Sequence, residues 1–396
     1  MNTINRFIVW SVVTAYVVYA FTLNTAAAVF TPAIEASLHA TSVQATIAVM
    51  MFMVGFALMQ IPAGYLLDRY SARVVVSAGV FLLAVGNFLI AFSSSLTLFA
   101  LGNLIQGVGA SFSFIAAAVL IGQWFKSEHF PILFGITQLL SCALAGYLHY
   151  VFAMSIVATS WSSLYFNLCY VGFSLFVLSL IFIKNPPNID REHPLSLSAS
   201  LKTICWNPQL WLCSGALATS LLLAYASFWY SKVHGQIGVT LHDSMVVSGL
   251  IFLGLGVGTP LVGYLSNLMQ SRKKVTAVSL LLGVMFLITG IYLPDSLSTN
   301  QLLVQVIAFL IGVTLSGSML FFTMINEIFQ PEVKGVAISV SNAAAFLFNS
   351  FLLYLPYCLT STAEFHATLW VLPLFVVISL IMLVFIRESY PTVIEA

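Results

Sequence analysis

Charged side chains are so scarce in this sequence that each can be weighed singly, and the first cluster of them is GYLLDRYSAR, Gly64 to Arg73. Asp68 beside Arg69 and Arg73 suits ion pairing and the capping of helix ends, since a carboxylate is held by a helix N-terminus and a guanidinium by helix-end carbonyls. Gly64 removes a side chain where a neighbouring helix can come close. The other residues of interest are neutral: Tyr16, Tyr19, Asn24, Gln106, Ser113, Gln138, Tyr225, Ser316, Asn342 and Asn349. They donate and accept hydrogen bonds. Glu35, Asp243 and His149 could carry a proton, His149 through its neutral-range pKa. There is no paired nucleophile and base, metal-ligand cluster or phosphate loop, so neither an enzyme nor a cofactor or metal is expected.

Helical spacing groups these residues. Gln106 and Ser113 are seven apart and lie within about 20° of one face, as do Asn342 and Asn349, and Gln138 and His149 share a face in the same sense. Tyr16, Tyr19 and Asn24 fall within an arc of roughly 140°. Tyr225 lies one turn before Trp229, which suits an aromatic belt at a membrane interface as well. Amides on one face either hydrogen-bond a polar solute or bond across helix interfaces. The spacing leaves both open.

The elements that position these residues follow from composition. Of 396 residues 60% are hydrophobic and 6% charged, against roughly 25% charged in a soluble domain. Apolar runs of about 20 residues, enough to cross the hydrocarbon core, recur along the chain. They predict spans at 7–33, 42–66, 74–92, 97–123, 131–156, 161–183, 209–232, 243–266, 275–293, 299–327, 336–359 and 367–386. An outer-membrane barrel, with its ~10-residue alternating strands, is excluded. The polar segment 184–208 reads as a linker between a six-helix half at 1–183 and another at 209–396. The run after Arg6 is too long for a signal peptide, so an uncleaved first span is expected.

With the N-terminus inside, Arg6, Arg69, Arg73, Lys126, Lys184, Arg191, Lys202, Arg272, Lys273, Lys274, Lys334 and Arg387 share one side, and only Lys232 falls on the other. The bias of Lys and Arg toward the cytoplasm then predicts that both termini are cytoplasmic. A net charge of +1 offers no footprint for nucleic acid. The five cysteines form no CxxC pair and read as packing residues.

GYLLDRYSAR is answered at Gly263 by GYLSNLMQSR, with Arg272 in the place of Arg73, and LIQGVGAS at Leu104 by LIGVTLSG at Leu310. Two similar halves are the trace of a parallel repeat about an axis along the membrane normal.

With the spans, the duplication and the central linker, GYLLDRYSAR resembles the loop 2 to 3 signature of the major facilitator superfamily. That resemblance implies an all-α integral membrane fold of twelve helices in two pseudo-symmetric halves. It also implies a cytoplasmic gating latch made from Gly64, Asp68, Arg69, Arg73 and, in the second half, Arg272, and a cavity lined by spans 1, 4, 7 and 10 with 5, 8 and 11 beside them. Proton-coupled drug antiporters of the superfamily carry an Arg where Asn103 stands, before Gln106 and Gly107, and a Gly-Pro signature in span 5 that is missing here. QWFKSEHFPILFGITQLL is similar to nutrient-uptake branches, including phagosomal transporters of amino acids and nucleosides.

An ionisable group at mid-span costs at least ~2.5 kcal/mol, and every Lys, Arg, Asp and Glu here maps to a loop or a span end. The expectation is therefore a monomeric transporter in the bacterial inner membrane, moving a small polar solute by rocking its two halves. Its partners would be that solute, the lipid bilayer and, if transport is coupled, protons. Drug or metabolite efflux, ferric-siderophore import and a non-transporting receptor or lipid scramblase are the alternatives.

Overall fold

The computed structural model describes residues 3–156, 158–185, 196–221, 241–292, 300–352 and 370–391. The first six helices are α1 (Thr3–Ser37), α2 (Ser42–Arg69), α3 (Ala72–Ala91), α4 (Leu96–Trp124), α5 (Phe130–Ser155) and α6 (Trp161–Phe182). After them come α7 (Leu197–Cys205), α8 (Pro208–Ser220), α9 (Leu241–Leu268), α10 (Arg272–Ile291), α11 (Gln301–Leu315), α12 (Leu320–Ile328), α13 (Lys334–Leu352) and α14 (Val371–Phe385). Among the described residues, 9 helical segments are long and apolar enough to cross a membrane. The chain is an all-α membrane protein.

One expectation gains detail and another changes. Within the segment 184–208, Leu197–Cys205 folds as the short helix α7. The tenth span is not one helix: a 3₁₀ turn over Ser316–Met319 separates α11 from α12. The cause is local. Ser316 Oγ donates to the carbonyl of Val313 at 2.6 Å, and a Cβ on Gly317 would stand 2.6 Å from Ser279 Cβ. Back-bonding hydroxyls and Gly/Ser pairs are recognised sources of helix kinks.

The chain forms two compact units. One contains Met1–Lys126, Leu140–Ser200 and Gln330–Ser339; the other contains Ser127–Leu139, Leu201–Phe329 and Val340–Ala396. The first residues of α5 group with the second unit and those of α13 with the first.

Each unit is held by close helix crossings. In the first, a Cβ on Gly55 of α2 would stand 2.2 Å from the carbonyl oxygen of Leu104, and one on Gly107 of α4 1.9 Å from that of Phe52. In the second, Gly254 of α9 and Gly312 of α11 meet Phe309 and Ile251 in the same way, at 2.2 and 2.1 Å. Any side chain would force these helices apart. Small residues matter here because lipid is as apolar as the helix surface, leaving close packing to drive association.

Candidate functional site

The carboxylate of Asp68, at the end of α2, accepts the backbone N–H of Gly335 at 2.8 Å and of Val336 at 2.9 Å. These N–H groups belong to the first turn of α13, where intrahelical acceptors are missing and the helix dipole favours a negative charge. Asp68 thus caps a helix distant in sequence. Gly64, one turn earlier, makes the approach possible: a Cβ there would stand 2.3 Å from the carbonyl oxygen of Gly335.

The other predicted latch residues take different partners. Arg69 turns back onto its own helix, bonding the Tyr65 hydroxyl and lying 5.8 Å from the Tyr65 and Tyr70 ring centroids. Arg73 donates through Nε to the carbonyl of Ile183 at 2.9 Å, just past the C-terminus of α6, where a cation is favoured. Beside it Asn185 Oδ1 accepts from Ser71 Oγ and the Ala72 N–H, both at 2.9 Å, and so caps α3.

The repeat of this site in the second unit is built from other charges. Asn267, opposite Asp68 in the repeat, donates to the carbonyl of Glu128 at 2.6 Å. The counterpart of Gly335 is Pro131, which lacks an N–H, so an amide donor facing a carbonyl replaces a carboxylate facing N–H groups. Asn267 Oδ1 also accepts from Arg272 Nη1 at 2.6 Å. Arg272 is fully buried. Its Nη2 lies 2.8 Å from Glu327 Oε1, Nη1 donates to Ser266 Oγ at 2.6 Å, and its guanidinium stacks 4.9 Å from the Tyr390 ring centroid. Arg272 therefore belongs to an internal ion-pair cluster and not to an exposed rim.

Glu388 completes that cluster. It accepts from Ser271 Oγ and from the Arg272 N–H at 2.9 Å, capping α10 as Asn185 caps α3. Partial burial pushes its carboxyl up, but the bonds from Ser271 and the N–H groups of Arg272, Lys273 and Tyr390 outweigh that and hold it below the usual carboxylate range. Lys273, expected only to set topology, donates to the carbonyl of Val384 at 3.0 Å.

The polar candidates separate by unit. In the first, Gln106 Nε2 donates to Asn87 Oδ1 at 2.6 Å, Asn87 Nδ2 to the Tyr19 hydroxyl, and that hydroxyl to the carbonyl of Leu168 at 2.7 Å. This buried chain joins α4, α3, α1 and α6. Tyr16 bonds the carbonyl of Gly109, and Ser113 that of Ala110. Tyr16, Tyr19, Gln106 and Ser113 are thus engaged between or within helices, while Asn24 on α1 is exposed. In the second unit Gln138 and Asn342 are buried, and Ser316 belongs to the 3₁₀ turn. Asn349 Nδ2 donates to the carbonyls of Ala345 and Ala218, at 2.7 and 3.3 Å, while its Oδ1 has no protein partner.

Of the proton-carrying candidates, Glu35 accepts from Ser42 Oγ at 2.9 Å, tying the end of α1 to the start of α2. The side chains of His149 and Asp243 lie outside the described residues, as does Tyr225. No group of three or more His, Cys, Asp or Glu side chains able to hold a metal occurs among the described residues.

The profile of the Major Facilitator Superfamily matches residues 12–241 and 230–395. The chain belongs to that superfamily. As a Major Facilitator Superfamily member it is a transporter and not an enzyme. Its fold is similar to that of the E. coli fucose:proton symporter FucP, at 15% identity and TM-score 0.72, over 97% of this chain and 100% of that one. It is also similar to the proton:xylose symporter XylE, at 14% identity and TM-score 0.74, over 98% and 97% of the two chains. A bacterial homologue of the iron transporter ferroportin, in an outward-facing state, matches at 14% identity and TM-score 0.74 over 95% and 98%. At these identities the likeness is one of fold.

Asn87, Asn185, Glu327, Glu388 and Gly335 escaped the sequence reading of this superfamily member. A finer reading of the repeat carries four of them. WFKSEHFP at Trp124 is answered by IFQPEVKG at Ile328, which pairs Pro131 with Gly335 and sets Gln123 opposite Glu327; IFIKN at Ile181 is answered by VFIRE at Val384, which pairs Asn185 with Glu388. Asn87 has no such signal.

Proposed function

We propose that this transporter imports a small neutral or zwitterionic polar metabolite, of the amino acid or nucleoside type, across the bacterial inner membrane, with both termini cytoplasmic and a monomer as the working unit. The observation that carries the solute class is the placement of charge. Every Lys, Arg, Asp and Glu in the described helices stands within a few residues of a helix end, and the polar groups deeper in are amides, hydroxyls and phenols. A path walled by such groups pairs with a neutral hydrogen-bonding solute and leaves an anion or cation uncompensated. Asn24 and Asn349, with polar atoms not committed to protein partners, are the first candidates for solute contact.

Superfamily members work by alternating access, in which two halves rock about a central site. In this reading the halves are 1–183 and 209–396, joined by 184–208, and the grip of Asp68 on α13 latches them on the cytoplasmic side. Glu35, His149 and Asp243 are the proposed coupling groups if protons take part. The fucose and xylose named for two structural neighbours add neutral sugars to the solutes worth testing, since sugars also suit an uncharged path.

The test uses purified protein in liposomes. Amino acids, nucleosides, D-xylose and L-fucose are screened for thermal stabilisation, and stabilising solutes are then assayed for uptake with and without an imposed pH gradient. Saturable uptake of a neutral solute is expected. Stabilisation by charged phosphates or ferric chelates alone would overturn the assignment.

A further inference from the structure

Two links relate α4 to α6, one a direct ring contact and the other relayed through α3 and α1. Phe99 of α4 meets Trp161 of α6 edge to face, with ring centroids 6.1 Å apart. Two turns further along, Gln106 of α4 is joined to Leu168 of α6 through Asn87 and Tyr19. Between these levels both helices advance by the same steps, four residues and then three: Phe99, Asn103, Gln106 on one and Trp161, Tyr165, Leu168 on the other. Equal rise per residue places Asn103 and Tyr165 on a common level between the two contacts.

Both residues are wholly enclosed. Asn103 is 0% exposed; its Nδ2 donates to the carbonyl of Phe99 on its own helix at 3.0 Å, and its Oδ1 has no protein partner. Tyr165 is also 0% exposed, and its hydroxyl has no protein partner. Its ring is packed by Phe30 and Trp161, with centroids at 5.3 and 6.4 Å. Tyr16 supplies the contrast within the same unit: a phenol equally buried, with its hydroxyl bonded to the carbonyl of Gly109. An acceptor and a donor thus share one sealed level, and each unpaired group there bears the full penalty of desolvation.

We propose that this level is a built site for one ordered internal water, which accepts from the Tyr165 hydroxyl and donates to Asn103 Oδ1. Aromatic walls keep solutes out, and a water needs only two to four polar partners to be held in a protein interior. Bridging water bonds are nearly as favourable as direct ones. The water completes a ladder of three rungs between α4 and α6: an aromatic contact, a water bridge and the Gln106–Asn87–Tyr19 chain. Its role is to keep the first unit stiff. Asn103 then serves as a positioning residue for helices, independent of which solute the protein carries.

The test is a double-mutant cycle on the thermal midpoint of the full-length protein in nanodiscs, with radiolytic hydroxyl labelling as a second readout. A bridging water predicts that Tyr165→Phe and Asn103→Leu each lower the midpoint, and that the double variant loses clearly less than the sum. In the unaltered protein, in-place activation of the water should label Tyr165 several-fold more than Tyr16, and Asn103→Leu should bring the two yields together. A higher midpoint for Tyr165→Phe, additive losses, or equal labelling of the two tyrosines would overturn the proposal.

Discussion

Asp68 and Gly335 are joined twice over: the carboxylate accepts the Gly335 N–H at 2.8 Å, and the glycine's missing side chain lets that carboxylate in, since a Cβ on Gly335 would stand 2.6 Å from Asp68 Oδ1. Acid and glycine form one device. A second N–H, from Val336, fills the other carboxylate oxygen.

Asp68→Asn keeps the shape but leaves one acceptor oxygen and turns an NH₂ group toward the second N–H. Loss of a charge-assisted cap is worth about 1–2 kcal/mol, a factor of about 5–30 in the population of the capped form. Uptake should fall, and alkylation of cysteines placed beside Asp68 on α2 and beside Gly335 on α13 should rise. Asn267→Ala acts differently. From sequence, its effect is expected to be small; the structure gives Asn267 bonds to Glu128 and Arg272, so the variant should lower the thermal midpoint more than it alters alkylation.

Gly64→Ala places a Cβ 2.3 Å from a backbone oxygen that cannot move aside without shifting α13. The expected result is loss of uptake with the protein still folded. Gly146→Ala is the control, because nothing lies within 4 Å of a Cβ there. Equal tolerance of both substitutions in a transport assay would contradict the packing argument.

Glu327→Ala strands the buried Arg272 guanidinium. Removing one partner of a buried pair costs about 3–5 kcal/mol, whereas replacing both with apolar residues of similar volume is often neutral. Glu327→Ala should therefore lower the midpoint in a fluorescence-detected melting assay far more than an Arg272→Met, Glu327→Met double variant does.

Glu388 governs a pH dependence whose sign is fixed. Its folded carboxyl is held below the usual range, so it binds a proton more weakly folded than unfolded. Its stabilising effect is complete above the ordinary carboxylate range, about pH 4–5, and is lost as pH falls through the folded value. Thermal midpoints of the wild type should drop along this acid limb. Glu388→Gln should start lower at neutral pH and fall less steeply.

Much of this was legible in the residues, for physical reasons. Apolar runs marked the spans found among the described residues because about 20 such residues cross a bilayer, and Asp68 stood out because it is an acid set beside two bases, Arg69 and Arg73, in a chain with few charges. The polar candidates were less legible. Gln106 and Tyr19 gave no sign that Asn87 would link them, since a helical face shows where a side chain points and not what it meets. Ser316 marked a break only once Gly317 was seen against Ser279. Arg272 resembled Arg73 in sequence, yet Glu327 pairs with its guanidinium and holds it inside, while Gln123, at the repeated position, carries no charge and Arg73 stays at the surface.

The central claim is that transport must break the grip of Asp68 on α13. Spin labels at Tyr70 and Glu332, in a cysteine-depleted background in nanodiscs, report on that grip through their distance distribution. The account predicts a dominant short distance in the wild type and a longer population that grows with Asp68→Asn and with a transported solute. A single unchanged distance in all three samples, with solute uptake intact, would contradict it.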